Sequence, residues 1–270
     1  MTAAEAQRTR EGMLRDGFCV VPDILTDDFV AELIAETARI NATEEHHPDT
    51  RYQGTHVSVA FADNAVMRRL ATWEPARQAL VQLEFGDFAY RDALLVLTKP
   101  AHGPALYWHQ DWMRWNDPLS CSPWPQIMFI SYYLQGTSVE NGCLRVIPGS
   151  HLRRIPLHDR LVTAHEQGAR FIEEDHPVMF SRQPEEVDVP VGPTDLVLAD
   201  ARLLHAAYAN RTDQPRDLLL LWHSRPDTVP ADWSGEIPQV IAERDPDAEY
   251  EILRVPGDYL VANPSRGSAR

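Results

Sequence analysis

The sequence predicts a mostly β protein, a sandwich or jelly roll, with a layer of helices at its N-terminus. Apolar residues recur with helical spacing through the first third of the chain. From about residue 94 the pattern changes to short apolar or alternating segments separated by Pro, Gly, Asn and Asp, which is typical of strands and turns. Since long helices do not alternate with these segments, an antiparallel jelly roll is favoured over a parallel α/β sheet.

The length and composition are those of one large globular domain. The chain has 270 residues, of which 44% are hydrophobic and 24% charged, and β-sandwich folds often reach this length without dividing. The predicted parts of residues 1–270 are a helical N-terminal layer over 1–90, a jelly-roll core over 91–225 with an insertion at 151–186, and a C-terminal extension over 226–270.

The acidic balance of the chain limits its partners. A formal net charge of −15 without a basic stripe argues against nucleic acid or an anionic membrane as a partner, and it favours a neutral or cationic small molecule over a polyanion. Three widely separated cysteines, no signal-peptide pattern and no apolar run of membrane-spanning length lead us to expect a cytoplasmic protein.

The helical layer is predicted from apolar periodicity and from capping residues. Thr26 precedes an apolar-periodic stretch and is a typical N-terminal cap. Pro75 stands at the start of a later helical pattern, where its missing N–H is tolerated. The polar stretch 44–56 predicts a loop. The expected helices are 2–16, about 28–41, about 63–72 and about 75–85, with a short strand FCVV after the first.

Seven later segments predict the strands of the core. They are separated by turn residues, and the mixed, partly helical insertion 151–186 interrupts them. The insertion and the loop 44–56 are too polar for a core, so we expect a lid or a substrate-facing wall from them. The segments are LLVLTK, ALYWHQD, QIMFISYYL, CLRVIPGS, DLVLAD, LLHAAYAN and DLLLLWHS, and a short helical or extended piece is expected near 236–243.

The segment LYWHQDW carries the first chemical signal. His109 and Asp111 are two metal-ligand residue types one residue apart, and on a β-strand they share a face and can reach one divalent first-row cation. Such a triplet is often incidental in a chain with 11 His and 40 acidic residues. A third ligand is therefore needed from a later strand, where His205 and His223 are the candidates.

The residues that follow each histidine favour His205. A turn over Asn210–Pro215 leads into a strand that begins with Arg216, so that arginine can return beside His205. A guanidinium holds a planar carboxylate through two parallel hydrogen bonds, which a lysine cannot imitate. His223 is followed by no comparable arginine. Two His and one carboxylate on one face of a metal leave open positions, as in non-heme Fe(II) oxygenases.

The ordered motifs resemble one family. WHQD, ENGCLRVIPGSH, DLVLAD and LLHAAYANRTDQPR follow in the order, and with about the spacing, of the phytanoyl-CoA dioxygenase family of 2-oxoglutarate-dependent oxygenases, and GFCVVPDILTDD is similar to that family's opening. The resemblance implies a double-stranded β-helix that uses Fe(II), 2-oxoglutarate and O₂, releases succinate and CO₂, and oxidises an unactivated C–H bond. It assigns His109, Asp111 and His205 to the catalytic metal and Arg216 to 2-oxoglutarate.

The resemblance also raises further co-substrate contacts. Lys99 matches a second 2-oxoglutarate contact of some members, and an exposed strand-end lysine is an equally good interpretation. Family members often carry a hydroxyl residue two places after the distal histidine, where this chain has Ala207. Tyr132 or Tyr133 is then a candidate to compensate for the missing hydroxyl.

Three residues are candidate substrate contacts. Trp108 and Trp112 flank the ligands, and aromatic residues there form core or wall as often as a substrate platform. Arg145 lies among apolar neighbours and either meets a substrate or pairs with a nearby acid. Gln110, between the two ligands, is expected on the opposite face in a structural role.

The composition and the absence of a targeting signal fit a bacterial tailoring enzyme of secondary metabolism that hydroxylates or oxidatively cyclises a small metabolite. Two alternatives remain open at this point. One is a cupin-like isomerase or hydrolase that uses Zn²⁺ or Mn²⁺ on the same ligands. The other is a non-catalytic, metal-binding sensor.

Overall fold

Two antiparallel β-sheets pack face to face, and helices cover the outer face of the larger sheet. The computed structural model describes residues 1–43, 54–112, 114, 117–161, 176–248 and 250. The helices are α1 (Ala3–Asp16), α2 (Asp27–Thr43), α3 (Ala65–Ala71), α4 (Glu74–Gln82) and α5 (Gln239–Ala242), with 3₁₀ turns at Pro118–Cys121 and His158–Arg160. The strands are β1 (Phe18–Val21), β2 (Thr55–Ala60), β3 (Ala89–Tyr90), β4 (Ala93–Lys99), β5 (Leu106–His109), β6 (Ile127–Tyr133), β7 (Leu144–Val146), β8 (Val187–Val189), β9 (Leu196–Asp200), β10 (His205–Ala207) and β11 (Arg216–Ser224).

The strand order is that of two layers joined by crossovers. The larger sheet runs β1-β9-β6-β11-β4-β2, with β3 pairing to β11, and the smaller sheet runs β5-β10-β7-β8. The predicted β core is confirmed, and each of the seven predicted segments contains one of its strands. Strand β2 was not predicted, because only Val57 and Val59 alternate as buried residues within an otherwise polar stretch.

The predicted helical layer is also confirmed. Helix α1 begins after Thr2, which forms a capping box with Glu5, and ends at Gly17 in the left-handed region (φ 85°). The backbone N–H of Phe29 donates to Thr26 Oγ1 at 3.2 Å, so Thr26 caps α2 as its position predicted. The predicted loop 44–56 extends into β2, and residues 44–53 of it lie outside the described residues, as do 162–175 of the insertion and 251–270.

Alternation along β11 decides which side chains enter the space between the sheets. Leu219 and Leu221 pack against the helices, whereas Leu218 and Leu220 pack in the cluster between the two sheets. Arg216, in phase with the second pair, therefore faces the interior of the jelly roll. None of the described helices is both long enough and apolar enough to cross a bilayer.

Candidate active site

The fold brings His109, Asp111 and His205 together at one end of the interior. Strands β5 and β10 pair so that His109 and His205 are Cα partners. One ligand atom from each of the three residues lies within 4.8 Å of the others. Asp111 Oδ1 is 3.6 Å from His109 Nε2 and 4.0 Å from His205 Nε2.

Asp111 reaches this cluster from outside regular structure. Strand β5 ends at His109, so strand alternation does not place the carboxylate, contrary to the prediction from spacing. Instead, the backbone N–H of Asp111 donates to the carbonyl of Ala201 at 2.8 Å, which holds the segment against the turn that precedes β10. The side chain still faces the two histidines.

Both histidines are oriented by main-chain carbonyls. Nδ1 of His109 lies 2.9 Å from the carbonyl oxygen of Tyr107, and Nδ1 of His205 lies 2.9 Å from that of Leu203. A carbonyl only accepts, so each Nδ1 carries the proton and each Nε2 keeps its lone pair for a metal. Two imidazole nitrogens and one carboxylate oxygen form a donor set that fits Fe(II).

Arg216 lies in the same interior with an unfilled demand for hydrogen bonds. Its side chain is buried, its guanidinium lies 5.0 Å from the ring centroid of Tyr133, and its Nε and Nη1 have no hydrogen-bond partner among the described residues. Burial lowers the pKa of Arg216. A buried guanidinium with unsatisfied donors is costly, and a carboxylate is a suitable acceptor for them. The residues present therefore fit 2-oxoglutarate.

Lys99 is the strand partner of Arg216 across β4 and β11. It is 1% exposed, and its Nζ donates to the carbonyl oxygen of Tyr208 at 2.6 Å. The interpretation of Lys99 as an exposed strand-end lysine is wrong, because its position in phase with Leu97 turns it into the interior. Two buried cationic side chains thus stand beside each other at the end of these strands.

Comparison with known proteins identifies the family. The family model described as phytanoyl-CoA dioxygenase (PhyH) matches residues 13–218. The chain belongs to the phytanoyl-CoA dioxygenase family. An ectoine dioxygenase of Sphingopyxis alaskensis is 27% identical over 221 residues, which cover 75% of this chain and 70% of the relative. A second ectoine dioxygenase, from Nocardia farcinica, is 28% identical over 156 residues, 53% of this chain and 50% of the relative.

Solved structures agree with this assignment. The 2-oxoglutarate-dependent epimerase SnoN from nogalamycin biosynthesis is 26% identical with a TM-score of 0.60, over 94% of this chain and 99% of SnoN. The carbocyclase SnoK, at 21% identity and a TM-score of 0.62 over 84% and 87%, shares the fold. This phytanoyl-CoA dioxygenase family member is therefore a 2-oxoglutarate-dependent non-heme iron dioxygenase with a jelly-roll core, using Fe(II), 2-oxoglutarate and O₂.

The structure does not bring the three candidate substrate contacts of this family member to the cluster. Trp108 is fully buried on the outer face of the smaller sheet, where its Nε1 donates to the carbonyl of Ser181 at 2.8 Å. Trp112 packs in a separate apolar cluster with Leu119 and Trp124. Both tryptophans thus occupy core positions, which was one of their two predicted interpretations.

Arg145 pairs with an acidic residue, which was the second of its two predicted roles. Strand alternation turns it away from the interior, and its Nη2 lies 2.6 Å from Glu186 Oε2, with both side chains buried. Its guanidinium also lies between the rings of Trp108 and Tyr208, at 4.8 and 4.6 Å from their centroids. Nη1 and Nη2 also donate to the carbonyls of residues 180 and 181, so every guanidinium nitrogen of Arg145 has a partner within the protein. These contacts assign Arg145 to a structural role.

Of the other candidates, Gln110 donates to the carbonyl of Arg202 at 2.5 Å and so takes the structural position expected of it. The two tyrosines divide between faces: Tyr132 packs with the helices, and Tyr133 packs between the sheets beside Arg216. His223 also points toward the helices, away from His109 and Asp111.

Sequence reasoning did not single out Trp222. Its Nε1 donates to Asp111 Oδ2 at 3.2 Å. The signal was available, because Trp222 is in phase with Arg216 along one strand, and alternation sends both side chains between the sheets. Phe129, the strand partner of Trp222, packs its ring 4.8 Å from that of His205.

Proposed function

We propose that His109 Nε2, Asp111 Oδ1 and His205 Nε2 bind Fe(II) in this enzyme, and that Arg216 binds the distal carboxylate of 2-oxoglutarate. The observation that carries the proposal is the buried guanidinium of Arg216, which has unsatisfied donors and faces the same interior as the three ligand atoms. When bound, iron with 2-oxoglutarate and O₂ supplies the oxidant that removes hydrogen from a C–H bond.

The protein's own residues contribute binding and orientation. The carbonyls of Tyr107 and Leu203 hold the histidine protons on Nδ1. Lys99, kept in place by the carbonyl of Tyr208, adds a second buried positive charge next to Arg216 and favours a dianionic co-substrate. We propose Tyr133 as the flat surface that keeps the Arg216 guanidinium in its plane.

The proposed substrate is a small, neutral or cationic metabolite of bacterial secondary metabolism. The relatives support a small molecule, since one is named for ectoine and another belongs to nogalamycin biosynthesis. The net charge of −15 supports the preference for a neutral or cationic molecule over a polyanion. We further propose that the described residues act as one catalytic domain, since both sheets and the helical layer share packed faces. The cytoplasmic setting stays a prediction.

The proposed outcome is hydroxylation or oxidative cyclisation. Epimerisation is the second candidate, because the epimerase SnoN aligns over 94% of this chain and 99% of its own length. Product mass separates the three outcomes: hydroxylation adds one oxygen atom, cyclisation removes two hydrogen atoms, and epimerisation leaves the mass unchanged.

The test is turnover of the purified protein with Fe(II), 2-oxoglutarate and candidate metabolites. We expect O₂ uptake and succinate formation, which stop under anaerobic conditions and in the Asp111→Ala variant. A cupin-like isomerase or hydrolase on Zn²⁺ or Mn²⁺ would keep working without O₂. A non-catalytic sensor would bind metal but form no succinate, even slowly in the absence of a substrate.

A further inference from the structure

The orientation of the Asp111 carboxylate is not fixed by regular secondary structure. Asp111 lies beyond the end of β5, and its main chain is tied to Ala201 by one hydrogen bond of 2.8 Å. The carboxylate itself accepts one side-chain hydrogen bond from the described residues, that from Trp222 Nε1 to Oδ2 at 3.2 Å. The histidine rings, in contrast, are each held directly by a main-chain carbonyl.

This contact makes the two oxygens of Asp111 inequivalent. Oδ2 is engaged by the indole, while Oδ1 is the oxygen that approaches His109 Nε2 at 3.6 Å and His205 Nε2 at 4.0 Å. A carboxylate with one oxygen occupied by a donor presents the other to a metal. The indole N–H is suited to this task because it only donates and does not titrate.

The position of Trp222 is itself well determined. It lies on β11 between the sheets, packs against the interior apolar cluster, and has Phe129 as its strand partner. Arg216 is six residues earlier on the same face, so one strand carries both side chains, about 20 Å apart along its length. The indole therefore approaches Asp111 from a paired strand of the larger sheet, across the interior from the strands that carry the histidines.

We propose that Trp222 is a positioning residue that orients Asp111 so that only Oδ1 binds the metal, which keeps a coordination position open for the co-substrates. The proposal rests on the proposed metal role of Asp111. Partners of this kind, which contact a ligand but not the metal, typically change metal affinity about 10- to 100-fold when they are removed.

The test replaces the donor and keeps the ring. Trp222→Phe should weaken Fe(II) binding about 10- to 100-fold in anaerobic titrations. It should also change the absorption spectrum of the Co(II)-substituted protein, which reports the coordination number of the metal and therefore whether one or both oxygens of Asp111 bind it. The matched control is Trp73→Phe, which deletes another half-buried indole that donates to one carbonyl, that of Ile24 at 2.8 Å, far from the cluster. The control should leave both measurements unchanged.

The outcomes separate this inference from the proposed site. If Asp111→Ala leaves Fe(II) binding unchanged, the proposed metal site is wrong. If Asp111→Ala abolishes binding but Trp222→Phe alters neither affinity nor spectrum, only the role of Trp222 is overturned. Should Trp222→Phe fail to fold, β-(3-benzothienyl)alanine incorporated at position 222 replaces the N–H by sulfur with little change of shape, and it must show the same two effects.

Discussion

At the scale of single residues, most side chains of the candidate site have hydrogen-bond partners within the protein, but one has donors without a partner. The histidines and Asp111 have partners on their non-metal atoms, whereas Arg216 keeps two donors without a partner among the described residues. Orphaned buried donors are uncommon in folded proteins, and they indicate a missing acceptor. The two predictions at this scale follow from that contrast.

The first prediction concerns the third metal ligand. His205→Ala removes one of three ligand atoms, so we expect turnover at background and loss of bound iron. His223→Ala is the matched control. His223 is an equally buried histidine, but its side chain lies on the face of β11 that packs against the helices. Metal analysis of the iron content of the two purified variants tests the assignment of His205. Full iron and turnover in His205→Ala, together with their loss in His223→Ala, would reverse the assignment.

The second prediction concerns co-substrate binding. Arg216→Ala leaves a buried carboxylate unpaired, which costs on the order of 2–5 kcal/mol, or roughly 30-fold to several thousand-fold in 2-oxoglutarate affinity. Fe(II) binding should be nearly unchanged. Arg216→Lys should recover only part of the lost affinity, because lysine keeps the charge but cannot form two parallel hydrogen bonds. Titration of 2-oxoglutarate into the anaerobic Fe(II) protein measures the midpoint. An unmoved midpoint in folded, iron-loaded Arg216→Ala would transfer the role to Lys99.

At the scale of secondary-structure elements, the smaller sheet is tied to the segment before β8 by a buried ion pair. Arg145 on β7 and Glu186 are both almost fully buried, and Arg145 lies between two aromatic rings. The pair is oriented away from the metal cluster. Its role is therefore expected in stability, since removal of one member leaves the other charge buried and unpaired.

This gives the third prediction. Glu186→Gln should lower the free energy of unfolding by about 3–5 kcal/mol, measured by urea denaturation. The control is Arg77→Ala, which breaks the exposed helical pair with Glu74 and should cost less than about 1 kcal/mol. The double replacement Arg145→Met with Glu186→Leu should recover much of the loss. A fall in stability no larger than that of Arg77→Ala would contradict the buried-pair argument.

The elements also show how far sequence reasoning reached. Strands with strong alternation or long apolar runs, such as β6 and β11, were predicted, and Thr26 identified the start of α2. Two features depended on tertiary contacts that local patterns do not encode. Asp111 is placed by a hydrogen bond to Ala201, and Arg145 is turned outward by the phase of a three-residue strand. Short strands leave too few residues to establish that phase.

At the scale of the whole molecule, buried neutral histidines couple folding to pH. Burial lowers the pKa of His223 and of His158 to about 4, from an ordinary value of 6.5. The unfolded chain binds these protons below pH 6.5, whereas the folded chain does not until the pH approaches 4. The stability present above the unfolded pKa is therefore lost as the pH falls through this window.

The fourth prediction is that the free energy of unfolding falls steeply between about pH 6.5 and pH 4, by up to about 3 kcal/mol for each histidine. His223→Leu should make the free energy of unfolding less dependent on pH, because a leucine side chain does not bind a proton. His102→Gln, at an exposed position, is the control and should leave the slope unchanged. Urea denaturation at a series of pH values measures both, and an unaltered slope in His223→Leu would rule out His223 as a source.

The carbonyl contacts of the two histidines have an evolutionary consequence. A main-chain carbonyl is supplied by every residue type, so Tyr107 and Leu203 can be exchanged without loss of the hydrogen bonds that orient the rings. The orientation of these rings therefore imposes few demands on surrounding side chains. Selection can rework the neighbouring loops for new metabolites while this part of the site persists, which gives a physical reason why relatives of about one-quarter identity carry the names of an ectoine dioxygenase and an epimerase.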